Sequence, residues 1–270
     1  MSYEHILFEV SEGIATITLN RPDRLNAWTG RMAHEVRAGM EAADRDPDVK
    51  VIILTGAGRG FCSGADMNDL SNISAAGGVE SRPFEPFDPN AKPDYQHPQT
   101  WFASVSKPII AAINGPCAGM GLCISLFCDL RFVSETAVFV TAFARRGLIA
   151  EHGTSWMLPR IVGHSRALDL LLSSRRVHPD EAYRIGLADR VFAPEALIDG
   201  ARTYARELAE AVSPRSMAVI KRQLWNGLVQ DLKDAMVDAD REMALSLKSD
   251  DFKEGVASFV EKRQVKFTGV

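Results

Sequence analysis

Short apolar runs alternating with amphipathic segments place this chain in the α/β class. Three observations carry the assignment. VKVIILTG (49–56) and KPIIAAINGP (107–116) are continuous apolar runs of the kind found in strands covered on both faces. Helical periodicity lies between such runs, which predicts right-handed crossover units and a largely parallel sheet. Beyond Val177 the strand signal gives way to amphipathic helices, so a core over 1–190 carries a helical region over 191–270.

The elements follow in order. In HILFEVSEGIATITLN the apolar residues alternate on either side of Glu12-Gly13, which predicts a hairpin. A helix is expected over about 30–44, with Met32, Val36, Met40 and Ala43 on one face and Pro47 beyond its end. The strand at 49–56 runs into a glycine-rich turn. Residues 71–100 are rich in Pro, Gly and charge and too long for a simple connection, which predicts a mobile insert, either lid or disordered. Trp101 and Phe102 after it belong to the core or line a pocket. VHPDEAYRIGLADRVF reads as helix, turn and strand, with Pro179 and Asp180 at the helix start. Four helices follow, in EALIDGARTYARELAE, SPRSMAVIKRQLWNGL, LKDAMVDADREMALSLKS and DDFKEGVASFVEKR. Their apolar content exceeds what so small a region can bury, which points to packing on another subunit.

Composition excludes several functions. With 270 residues, 46% of them hydrophobic, the chain has enough material for a full core. Its net charge of -4, with both signs interspersed, provides no basic stripe for nucleic acid. MSYEHILFEV lacks the pattern of a secretory signal, and no apolar run approaches the ~18 residues that span a bilayer. The four cysteines form no Cys-x-x-Cys pair and mostly sit among apolar residues; reduced, buried thiols in a cytoplasmic protein are expected, and no metal site.

Two glycine-rich turns follow the two covered strands. TGAGRGFCSGAD fails as a dinucleotide fingerprint, because a G-x-G-x-x-G count from Gly56 ends on Phe61 and one from Gly58 ends on Ser63. NGPCAGMGLCISLFCD opens an apolar helix at Gly119-Met120-Gly121, where backbone N–H groups lack helical partners. Side by side, the two turns would aim one N–H each at a single oxygen, the geometry of an oxyanion hole. Alternatively, they are tight turns that serve only strand–helix packing.

GLIAEHGTSWMLPR (147–160) poses a separate question. Its Glu151-His152 pair stands between the apolar Leu148-Ile149-Ala150 run and a helix start. Either Glu151 caps that helix or pairs with Arg145, Arg146 or Arg160, or it is a carboxylate held in a mostly apolar pocket for proton transfer. His152 tunes Glu151, contacts substrate, or merely occupies the turn.

The segments NRPDRLNAW, GRGFCSGAD, KPIIAAINGPCAGMG, FCDLRFVSETAVF, GLIAEHGTSWMLPRIVG and EGVASFVEKR, in their order and spacing, resemble the crotonase (enoyl-CoA hydratase/isomerase) family over nearly the whole chain. The resemblance implies a spiral of ββα turns, a C-terminal helical region that forms trimers or dimers of trimers, and acyl-CoA thioester substrates. It implies no cofactor beyond the coenzyme A of the substrate. By position the oxyanion donors are the backbone N–H groups of Ala65 and Met120, the latter replacing a common glycine. Arg24 and Leu25 fall where coenzyme A is contacted. Asp66, Met67, Gly119, Phe143 and His152 fall along the substrate site, and Lys266 or Phe267 where a neighbour's coenzyme A is reached.

The chain departs from the family's hydratases at both catalytic glutamates, which are Cys123 and Phe143 here. Hydration needs one group to activate water and another to manage the α-carbon proton, and neither replacement serves. Eight residues beyond Phe143, Glu151 stands where several isomerases of the family carry their catalytic acid. The expected activity is therefore enoyl-CoA double-bond isomerisation through Glu151. The alternatives are enoyl-CoA hydratase or lyase activity, and a non-catalytic acyl-CoA binder.

Overall fold

A computed structural model of the chain describes residues 3–78 and 84–269. The hairpin forms as expected: β1 (Ile6–Ser11) and β2 (Ile14–Leu19) pair antiparallel around Glu12 and Gly13, both in the left-handed region. Thr29 accepts a hydrogen bond from Met32 N and so starts α1 (Gly30–Arg45), which buries Met32, Val36, Met40 and Ala43. Then come β3 (Val51–Gly56), α2 (Met67–Ala75), β4 (Ile109–Ile113), β5 (Pro116–Ala118) and α3 (Met120–Leu126). They are followed by β6 (Leu130–Ser134), β7 (Val138–Val140), α4 (Thr154–Val162), α5 (His164–Ser173), α6 (Pro179–Arg184) and β8 (Arg190–Phe192). The chain closes with α7 (Leu197–Ala211), α8 (Pro214–Gly227), α9 (Leu232–Ser246) and α10 (Asp250–Glu261).

The main sheet runs β1-β2-β3-β4-β6-β8, and every pair after the first is parallel. Alternate residues of one strand face opposite sides. On one side Ile52, Leu54, Ile109 and Ala111 join α1 in the larger core; on the other Val51, Ile53, Ile110 and Ala112 meet Leu197, Ala201 and Ala205 of α7. Cover on both faces is what the continuous apolar runs encoded. Arg190, the last residue of the expected core, is the first of β8, and α7 beyond it roofs the sheet. α8 also reaches the larger core, through Trp225.

A second, smaller layer holds the site. β5 and β7 pair in parallel, and isolated bridges extend this layer from Cys62 to Cys117 and from Phe139 to Val177. Strands connected by short helices and stacked in two layers form the expected crotonase-type spiral.

Residues 79–83 of the expected insert lie outside the described residues. Residues 71–75 complete α2, and the stretch from 84 is anchored where a mobile insert was expected. Arg37 donates to the carbonyls of Glu85 and Pro86, Phe87 stacks on Trp101 at 5.0 Å, and the Tyr95 hydroxyl donates to the Trp225 carbonyl. Aromatic side chains, which the segment's polar composition masks, hold it down. Trp101 and Phe102 are core residues. All four cysteines are free and buried. Among the described residues, no helix is long and apolar enough to cross a membrane.

Candidate active site

The two glycine turns come together through backbone pairing. Cys62 N donates to Pro116 O at 3.0 Å, and Ala118 N returns a bond to Cys62 O at 2.9 Å. Asn26 braces the first turn from below. Its wholly buried amide donates to Ala57 O (3.0 Å) and Gly60 O (2.8 Å), and its carbonyl accepts from Arg21 N (2.8 Å). The turns then touch: a Cβ added to Gly64 would lie 3.3 Å from Ala118 O, and one on Gly119 would lie 3.7 Å from Gly64 Cα.

This contact leaves two donors free. Gly64 O and Asp66 N both bond to Trp28, at 2.7 and 2.9 Å, so the N–H of Ala65 between them points away from Trp28. It meets no acceptor among the described residues. Met120 is the first residue of α3, and its N–H has no carbonyl to reach within the helix. Ala65 and Met120 line one cleft of about 770 Å³.

Glu151 enters this cleft from a tight turn. Thr154 N donates to Glu151 O at 2.9 Å while His152 (φ 52°) and Gly153 (φ 74°) are both left-handed, the form of a type I′ turn. Gly153 is required there, since a Cβ would lie 2.8 Å from Phe127 Cζ. The Glu151 side chain does not cap α4, whose N-cap is Gly153 without a side-chain bond. Nor does it pair with the nearby arginines. Arg145 donates to Ser173 O, Arg146 to Ala142 O and Arg160 to Trp156 O. The partner of Glu151 is His152, with Nε2 3.2 Å from Glu151 Oε2.

Arg24, Asp66, Met67, Gly119, Phe143 and His152 line the same cleft. Leu25 does not; it packs over Gly60, 3.3 Å from where a Cβ would stand. Asp66 is committed to structure as the N-cap of α2 and the partner of Arg21 at 2.9 Å. The Asn68 N–H and the Arg21 guanidinium hold its carboxyl below the usual range. The Leu148-Ile149-Ala150 run is not the expected apolar wall. Only Leu148 reaches the cleft, and Ile149 is 78% exposed because the loop turns outward before Glu151. Apolar cover comes instead from Phe143, Met120 and one face of α2, at Met67, Leu70 and Ile73. Sequence reasoning missed Leu70, Ile73 and Arg146; the three-residue spacing of 67, 70 and 73 behind the Asp66 cap is the signal that marks that helix face. Lys266 and Phe267 lie on the tail beside α10, where Lys266 N donates to Glu254 and Phe267 covers Gly255.

Neither residue that the resemblance sets at a hydratase glutamate position, Cys123 or Phe143, offers a readily ionised group here. Cys123 is buried, with its thiol 3.1 Å from Thr154 Oγ1. Burial pushes that thiol up to about 12, the Thr154 bond opposes the rise and the Glu151 charge adds to it, so the group stays protonated. Phe143 is buried at the wall. Burial also pulls the His152 imidazole below its usual range, against the opposing pull of Glu151, so the ring is neutral at pH 7.

Comparison with known proteins gives a consistent result. The family model for enoyl-CoA hydratase/isomerase matches residues 9–270. The 1,2-epoxyphenylacetyl-CoA isomerase of Escherichia coli K12 is 35% identical over 267 residues, covering 98% of this chain and 99% of that protein. A Rhodobacter capsulatus protein named "Probable enoyl-CoA hydratase" is 36% identical over 271 residues and 100% of both chains. Among solved structures, an enoyl-CoA hydratase/isomerase from Mycobacterium paratuberculosis superposes with a TM-score of 0.87 at 30% identity, with 100% of both chains covered. Agreement in sequence and fold over nearly the full length makes this chain a member of the enoyl-CoA hydratase/isomerase, or crotonase, family.

Proposed function

We propose that the protein is an acyl-CoA isomerase in which Glu151 carries a proton between two carbons of the substrate. The observation that carries this reading is that Glu151 shares one cleft with the unpaired N–H groups of Ala65 and Met120, while Cys123 and Phe143 occupy the hydratase positions. With the thioester oxygen on those two N–H groups, Glu151 removes a proton from C2 of a 3-enoyl-CoA. The C–H electron pair moves into the carbonyl, and the amides stabilise the enolate. The enolate then collapses, a C2–C3 double bond forms as the C3–C4 bond becomes single, and the Glu151 carboxylic acid returns its proton to C4. No net proton, electron or water is consumed. Coenzyme A enters as part of the substrate, with Arg24 at its side of the cleft, and no further cofactor is required. The full assembly is a trimer or dimer of trimers in the cytoplasm.

Hydration of 2-enoyl-CoA is the second reading. It is favoured by one observation, the second titratable group that His152 places on the cleft. Purified protein incubated with 3-hexenoyl-CoA and 2-hexenoyl-CoA, and followed by ultraviolet absorbance of the conjugated thioester, separates the readings. Conjugation appearing from the 3-enoyl substrate, and reduced ~10²–10⁴-fold in Glu151→Gln, is expected. Loss of 2-enoyl absorbance in place of that gain selects the hydratase, and binding without turnover selects an acyl-CoA binder. The relative named 1,2-epoxyphenylacetyl-CoA isomerase adds epoxidised aromatic acyl-CoA to the substrates to be tried.

A further inference from the structure

We propose that His152 is a positioning residue, whose imidazole holds one oxygen of Glu151 so that the other faces the substrate carbons. The inference rests on Glu151 being the acid/base.

Four observations point the same way. The imidazole Nε2 lies 3.2 Å from Glu151 Oε2. The type I′ turn, closed by the Thr154-to-Glu151 bond, fixes both residues on one cleft wall. His152 takes a left-handed backbone (φ 52°) that histidine, asparagine and glycine all tolerate, so the turn does not by itself require histidine. Arg145, Arg146 and Arg160 each donate to a backbone carbonyl, Arg160 also lying over Trp156 at 3.8 Å, and among the described residues the imidazole is the group recorded within ion-pair distance of the Glu151 carboxylate.

The chemistry requires a neutral donor. A carboxylate bound to an arginine loses basicity to the fixed charge, whereas a neutral N–H orients one oxygen and leaves the other able to accept a proton. Burial keeps the ring neutral near pH 7. Its charged and titratable surroundings are Glu151, Arg146 on the same loop, Arg24 and the Arg21-bound Asp66 across the cleft, and the protonated Cys123 of α3 behind Glu151. On acidification the ring becomes imidazolium and clamps the carboxylate in an ion pair, so the base is lost. The acid limb of the rate profile then includes protonation of this ring.

Three variants test this, with 3-hexenoyl-CoA as substrate. His152→Gln places an amide N–H near the Nε2 position without a titrating group. It is expected to keep kcat within about 3-fold at pH 8 and to reduce the acid limb from two protonations to one. His152→Ala is expected to lose about 10–100-fold in kcat with KM little changed, the range seen when the orienting partner of a functional side chain is removed. His152→Asn suits the left-handed backbone but is one atom too short; it should fold as well as the parent and still behave like the alanine variant. Full kcat in His152→Ala or His152→Asn overturns the proposal, as does a two-proton acid limb surviving in His152→Gln. If Glu151→Gln itself keeps the activity, the acid/base reading has failed instead. If Glu151→Gln is inactive while the His152 variants are normal, only the positioning role has failed.

Discussion

Gly121 lies beneath the second turn, and the space it leaves empty sets the spacing of the site. A Cβ at this position would stand 2.4 Å from the carbonyl oxygen of Cys62, a backbone atom that cannot swing aside. The first turn would have to retreat, and with it Ala65. On the proposed isomerase reading, Gly121→Ala should therefore depress kcat far more than it depresses substrate binding, while circular dichroism still reports the native fold. Parental kcat in that variant would show that the two turns do not act as one site. Asn26 does the complementary work. With its carbonyl and both amide hydrogens engaged inside the core, it pins the first turn at the height where Gly64 meets Gly119.

The turn that carries Glu151 is itself held by an element far along the chain. Gly153 touches Phe127, and a Cβ there would also lie 3.4 Å from Thr100 in the anchored segment. Phe127 stacks on Trp225 of α8 at 6.0 Å. Trp225 Nε1 in turn donates to Asp129 at 2.9 Å, and Lys221 pairs with the same carboxylate at 2.7 Å from a nearly buried position. Asp129 also accepts from Ile109 N, so one side chain joins β4, α8 and the floor of the turn. Removing one partner of a buried pair leaves the other charge uncompensated. Asp129→Ala should cost about 3–5 kcal/mol in urea unfolding. Lys221→Met, which removes the charge and keeps the stem, should cost less. Parental stability in Lys221→Met would mean that the ion pair is not what couples α8 to the sheet.

At the scale of the molecule, the helices beyond the sheet leave several large apolar side chains exposed. Leu224, Leu232, Phe259 and Val260 on α8, α9 and α10 are each at least 70% exposed. Patches of this kind mark surfaces that other chains cover. On the proposed trimer, light scattering should report three times the 29.6 kDa protomer mass, or six times, and Phe259→Asp combined with Leu224→Asp should reduce it. A monomeric parent protein would leave these helices without their explanation.

Much of this was legible without coordinates. Period-two alternation around Glu12-Gly13, unbroken apolar runs at 49–56 and 107–116, and the face formed by Met32, Val36, Met40 and Ala43 are local patterns. Backbone geometry converts such patterns directly into strand, covered strand and helix. The glycine turns were readable for a related reason, since spacing within one segment survives folding unchanged, whereas the Cys123 and Phe143 departures and the candidate role of Glu151 were read only through the family resemblance. What the linear chain did not settle were matters of long-range packing. The outward turn of Ile149, the displacement of Leu25 from the cleft, the roof that α7 makes over the sheet and the anchoring of the segment from 84 all depend on residues remote in sequence. So does the contact of Gly64 with Gly119, 55 positions apart, which Cys62 and Pro116 enforce through backbone bonds. Sequence order determined the kinds of elements and, through the family resemblance, which residues are candidates for the chemistry. Only the tertiary structure decided which groups share a cleft, because proximity between distant residues is set by the packing of the whole core and by no local preference.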